Sequence, residues 1–266
     1  MRARSAIRTA AARPGQRLER WESRLHRKHH NLLDTGRGST WWAPGAIAWW
    51  IGILFMIGAS CFALGSVPGY ATAVGARADN MTFFVGSLFF TSAAFLQYLE
   101  SVNALPRAAR ERPESRFAVV RFLPRRIDWW ATLVQLVGTV YFNVSTFAAL
   151  DTSLTASAAQ RYVWRPDAVG SLCFLVASFL AWFEVVHAWV GWRPRTLSWW
   201  IALLNLGGSF AFGVSAVAAK AVGNSGLPRN AELVNLGTFA GAIGFLVGAF
   251  LLLPERTQSL DTASRT

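Results

Sequence analysis

The stretch Asp128–Phe142, DWWATLVQLVGTVYF, opens on one carboxylate and then runs through fourteen uncharged residues, and no further charge follows until Asp151. A bilayer core about 30 Å thick is crossed by about 20 apolar residues rising about 1.5 Å each. The block is therefore read as a membrane span. Backbone N–H and C=O groups cannot stay unpaired in hydrocarbon, so a span this uniformly apolar has to be a helix.

Five further blocks behave alike, and the six expected spans cover about 46–67, 81–103, 128–150, 168–190, 198–219 and 232–253. The composition agrees: of 266 residues, 53% are hydrophobic and only 15% charged, too apolar for an ordinary soluble domain. The expected fold class is all-α, a polytopic membrane protein of six transmembrane helices. Cys61 and Cys173 fall inside apolar blocks without CxxC or Cys/His spacing, which predicts buried free thiols.

The paired Trp recur. Trp49 and Trp50, Trp129 and Trp130, and Trp199 and Trp200 each begin an odd-numbered span. Eight residues after the second Trp stands Gly58, Gly138 or Gly208, and twelve after it Phe62, Phe142 or Phe212. The even spans keep their own register. Counted from Gly86, Gly170 and Gly241, the fourth residue is Phe90, Phe174 or Phe245, the ninth Phe95, Phe179 or Phe250, and the fourteenth Glu100, Glu184 or Glu255. The chain thus reads as three tandem two-helix hairpins. Its expected divisions are a basic arm 1–40, hairpin 41–105, an Arg-rich connection 106–127, hairpins 128–192 and 193–255, and a tail 256–266.

The net charge of +12 sits between the apolar blocks, which marks topology rather than a nucleic-acid surface. Of the 26 Lys and Arg residues, only Arg77, Arg161, Arg165, Lys220 and Arg229 fall on one side. The positive-inside bias then places both termini in the cytoplasm. An Arg-rich, Lys-poor composition suggests a bacterial source, hence the bacterial inner membrane. In the arm, Leu18, Trp21, Leu25 and Leu32 recur at helical spacing among basic residues. That pattern suits either an amphipathic helix on anionic lipid or a solvated arm. His26, His29 and His30 there are read as electropositive surface rather than as metal ligands.

Each even span ends on a carboxylate near a helix carboxyl end, where the dipole is negative and a partner is needed. The Trp pair of the same hairpin begins at that membrane face, which predicts a clasp of Trp50 with Glu100, Trp130 with Glu184, and Trp200 with Glu255. Asn103, His187 and Gln258, three residues beyond each Glu, are read as polar interface residues. The single EVVH cannot by itself build a di-iron site. Candidate polar lining of a path comprises Gln97, Gln135, Asn143, Asn205 and His187, of which Gln135 and Asn205 share a repeat offset held by Phe55 in the first hairpin. Neutral amides serve equally as glue between helices.

The unit containing GSLFFTSAAFLQYLE (residues 86–100), with its aromatic helix start and Gly-rich first span, resembles the YrhK-like family of small bacterial membrane domains. The resemblance is best over residues 46–103 and implies a membrane location; the family carries no mechanism across. Neither a P-loop, a dinucleotide fingerprint, a Ser elbow nor HExxH occurs, and no catalytic, metal or cofactor residues are assigned. The expectation is a non-catalytic scaffold, sensor or accessory subunit of the inner membrane. Its partners are membrane lipids, with anionic lipid at the basic arm, and a membrane-protein partner or a second copy. The alternative is a small-solute or ion transporter or channel with its path between the hairpins.

Overall fold

The computed structural model describes residues 39–104, 117–188, 191, 192, 194, 196–220 and 228–263. The helices are α1 (Ile47–Gly65), α2 (Pro68–Val74), α3 (Ala76–Asn103), α4 (Ile127–Ala148), α5 (Ala156–Ala159), α6 (Arg165–Val186), α7 (Leu197–Ala218) and α8 (Ala231–Ala263). A π-helical turn, Gln160–Trp164, joins α5 to α6 without a break. Among the described residues six helices are long and apolar enough to cross a membrane. The fold is the all-α, six-span arrangement of tandem hairpins that the apolar blocks and their repeated offsets predict.

Helix boundaries follow local chemistry. Ser66 bonds back to the carbonyl of Phe62 as α1 ends, and Pro68, which needs no N–H partner, opens α2. Gly75, at φ 85°, makes the bend between α2 and α3, a conformation that costs a residue with a Cβ. Helix α6 stops at His187, whose φ of 55° is left-handed. The expected spans are short at three ends. Span two begins at Ala76, span four continues back through the π turn to Ala156, and α8 runs past Pro254.

Each long helix packs on its neighbours in the chain, and α8 packs on α1, so the six close into a ring. Within each hairpin the crossing point is a glycine pair. An added Cβ on Gly58 would lie 2.9 Å from the carbonyl oxygen of Gly86, on Gly138 3.2 Å from that of Gly170, and on Gly208 2.9 Å from that of Gly241. Close approach of backbones is what small residues permit where lipid removes any hydrophobic drive between helices. Gly237, Gly244 and Gly248 of α8 likewise press on α7.

The same approach carries a phenylalanine from each helix to the ring axis. Phe62, Phe142 and Phe212 form one triangle, with centroids 6.1, 6.0 and 6.0 Å apart. Phe90, Phe174 and Phe245 form a second, at 6.2, 5.9 and 5.6 Å. The triangles join through the pairs of each hairpin at 5.5, 5.1 and 5.7 Å. All six rings are buried, in the centroid range where edge-to-face and offset contacts add about 0.5–1.5 kcal/mol per pair. Phe95, Phe179 and Phe250, by contrast, are exposed, as are Leu88, Leu172 and Leu236. That apolar coat matches a lipid solvent.

Polar contacts sit chiefly between hairpins. Ser87 meets Thr146, Thr91 meets Asn143 and Ser101 meets Thr132, each at 2.9 Å across α3 and α4. Ser178 and Ser209 meet at 2.7 Å across α6 and α7. At the α8–α1 seam Leu253 joins Ala43, Ala46 and Trp49 and Trp41 stacks on Phe250, with polar contacts at its end, where Thr40 meets Thr257 at 3.1 Å and Arg256 donates to the carbonyl of Ser39 at 2.7 Å. Cys61 and Cys173 are free and half-buried, packed on Gly86 and Gly138.

Candidate functional site

The Trp pairs divide their work between core and interface. The first indole of each pair is buried, Trp49 and Trp129 at 5% and Trp199 at 2% exposed, whereas the second is about 40% exposed. Each second indole donates its N–H to the carbonyl of the proline six residues earlier: Trp50 to Pro44 at 2.9 Å, Trp130 to Pro124 at 3.1 Å and Trp200 to Pro194 at 2.9 Å. An indole has one donor, so the expected clasps of Trp50, Trp130 and Trp200 with Glu100, Glu184 and Glu255 are corrected. A loop carbonyl at the head of its own helix captures each N–H first. The acid of the third hairpin still returns to the start of its odd helix, where Glu255 accepts from Ser198, one residue before the Trp pair. In the second hairpin the corresponding position is Asp128, fully buried and paired with Arg126. Glu100 is buried and Glu184 half-buried.

Among the described residues a cavity of about 300 Å³ lies at the end of the ring away from the Trp pairs, distinct from a more open hollow of about 580 Å³ lined by Arg77, Asp151 and Tyr162. Phe62, Phe142 and Phe212 are its floor, and the second phenylalanine triangle lies behind them. Its wall includes Asn80, Phe83, Gln160, Trp164, Asp167, Ser215 and Thr238. None of Gln97, Gln135, Asn143, Asn205 and His187 lines it. That expectation is corrected. The Asn143 amide donates to Thr91, Asn205 presses its Oδ1 against Gly248, and His187 is exposed at the end of α6. Gln135 and Asn205 stand seven residues, two turns, before Phe142 and Phe212, on the Trp side of the floor. Residues 1–38 of the basic arm, with its three His, and residues 106–116, half of the Arg-rich connection, lie outside the described residues, as does the side chain of Gln258.

The hydroxyls of the wall are already engaged. Ser145 donates to the carbonyl of Val163 and Ser215 to that of Val234, both at 2.9 Å. Because Ser215 spends its proton there, the 2.8 Å contact with Thr238 uses the proton of Thr238. Thr146 bonds the carbonyl of Phe142 at 2.8 Å, and the Trp164 indole donates to Ala216 at 2.8 Å. Asn80 donates to Ala149 at 2.6 Å. Against these stand two acceptors. The Oε1 of Gln160 is buried without a partner, and Asp167 makes no hydrogen bond or ion pair among the described residues. Asp167 stands eleven residues into a continuous helix that starts at Ala156, so the helix dipole, which fades within one turn, gives its charge little help.

The apolar blocks and motifs of the sequence do not single out Asp167, nor Gln160, Ser145, Ser215 and Thr238. A signal is present: Ser145 and Ser215 both stand seven residues after the odd-span glycine, where the first hairpin has Gly65. The side chains three residues before the even-span glycines, Phe83, Asp167 and Thr238, all reach the cavity. Among the described residues no group of three His, Cys, Asp or Glu side chains converges on a common point. No protein-family model, curated protein or solved structure matches this chain.

Proposed function

We propose that this chain is a non-catalytic membrane protein, a scaffold, sensor or accessory subunit of the bacterial inner membrane. Both termini lie in the cytoplasm, and the basic arm rests on anionic lipid. The three hairpins derive from one repeated unit of YrhK-like type. The observation that carries the non-conducting aspect of this reading is the ring axis, filled by six buried phenyl rings with the cavity ending on three of them. A water-filled path needs polar groups or open space along its length, and two layers of touching rings supply neither.

A second reading, a small-solute or ion transporter, is favoured by one feature: a cavity at one end holding an intramembrane carboxylate, as in a protein caught open to one side. The readings separate in proteoliposomes. The closed-axis proposal expects no flux of protons, alkali cations or small amines above empty vesicles, and leakage only once both triangles, Phe62, Phe142 and Phe212 together with Phe90, Phe174 and Phe245, are opened by change to Ala. Saturable flux through the unmodified protein would replace it with the transporter.

A further inference from the structure

The cavity is asymmetric in charge. Of the three positions that precede the even-span glycines by three residues, Phe83 fills its share against Gly65, where an added Cβ would lie 2.6 Å from the ring. Thr238 is tied to Ser215. Only Asp167 brings unused hydrogen-bonding capacity, and the nearby unpartnered group, Gln160 Oε1, is again an acceptor. With its hydroxyls and indole already donating within the protein, the wall's remaining capacity is the Asp167 carboxylate, the Gln160 amide, which accepts through Oε1 and can donate through its NH2, and the aromatic faces. A ligand that completes it brings N–H donors and positive charge.

We propose that this cavity binds a small apolar amine in its protonated form, the ammonium on Asp167 and Gln160 and the carbon skeleton against Trp164, Phe83 and the phenyl floor. Three physical effects point the same way. A carboxylate facing an apolar cavity at membrane depth is costly until a cation joins it. Ring faces attract an ammonium. The volume of about 300 Å³ lies at the small end of ligand pockets, which suits one compact ring or a short alkyl chain. A bare divalent cation is served poorly, since calcium takes 6–8 oxygen ligands and the cavity offers one carboxylate and the amide oxygens of Gln160 and Asn80. Among the described residues neither local cation pairs with Asp167: Lys220 lies over the ring of Trp164 at 5.6 Å and Arg161 over Tyr162 at 5.6 Å.

The inference supplies the sensor reading with a ligand and rests on it only for its physiological use. Absence of binding removes the site and leaves the shut axis standing, whereas flux through the intact protein overturns the shut axis and leaves the site standing. The test is calorimetry on the full chain in lipid nanodiscs, with phenethylammonium and its neutral counterpart 2-phenylethanol. The ammonium is expected to bind about tenfold or more tightly than the alcohol. Asp167→Asn is expected to erase that preference while leaving the alcohol unaffected, and Lys220→Gln to leave it intact. Equal binding of the two ligands to the unmodified protein, no binding of either, or a preference that survives Asp167→Asn would each overturn the proposal. The comparison on the unmodified protein decides even if the Asn variant does not fold.

Discussion

Gly208 and Gly241 face each other so closely that an added Cβ on either would fall 2.9 Å from the carbonyl oxygen of the other. The contact brings α7 and α8 together and leaves room for Phe212 and Phe245 to cross the seam, the rings lying 3.0 and 3.2 Å from those same Cβ positions. One close approach therefore sets both the hairpin and the axial cluster.

Adjacent residues give a sharp contrast. Nothing lies within 4 Å of a Cβ added to Gly207, which faces outward. Gly207→Ala is expected to be neutral or to stabilise by about 0.5–1 kcal/mol through helix propensity. Gly208→Ala must push the α7 and α8 backbones apart and is expected to cost about 1–3 kcal/mol. Reversible unfolding in mixed micelles measures both; equal effects would show that the close approach is not what holds the hairpin.

The Trp pairs should be unequal in the same way. Trp199→Ala removes a ring 2% exposed, packed on Trp182 and Trp192, and should cost about 3–5 kcal/mol. Trp200→Phe keeps the apolar body and loses one hydrogen bond to Pro194, for about 0.5–1.5 kcal/mol. The same unfolding assay compares them, and a larger loss at Trp200 would contradict the division between core and interface.

Much of the fold is legible in the residues alone, and the failures have physical causes. The offsets that place Gly58, Gly138 and Gly208 opposite Gly86, Gly170 and Gly241 are a packing code, because only the smallest residue fits where backbones touch. The Trp–Glu clasps fail because residue type shows that an indole needs an acceptor and does not say which. Pro44, Pro124 and Pro194, each six residues before a second Trp, hold the answer in plain view. The cavity escapes notice because hydropathy stops counting at the apolar block. The π turn Gln160–Trp164 carries the helix past that limit, and Asp167 looks like a span boundary instead of a wall residue.

Beyond the spans, Asp151 accepts from the Ser153 hydroxyl at 2.6 Å and from its N–H at 2.9 Å, which hold its carboxyl below the usual range. A depressed folded-state value means that the stabilisation is present above the unfolded pKa of about 3.9 and is lost as pH falls through the folded value. Ser153→Ala removes the larger of the two causes, so the Asp151 titration, followed by NMR on Asp-labelled protein, should move upward toward the unfolded value. An unchanged midpoint would exclude the hydroxyl as the cause.

The axis itself is open to direct measurement. In a chain with Cys61 and Cys173 replaced by Ala, a single Thr238→Cys places a thiol on the cavity wall, on the far side of the phenylalanine triangles from the Trp pairs. Inverted and right-side-out vesicles treated with a membrane-impermeant maleimide report which face reaches it. Labelling is expected from the face opposite the termini alone, and from both faces only when Phe62, Phe142 and Phe212 and also Phe90, Phe174 and Phe245 are Ala. Labelling from the terminal face with those rings intact would contradict the shut axis.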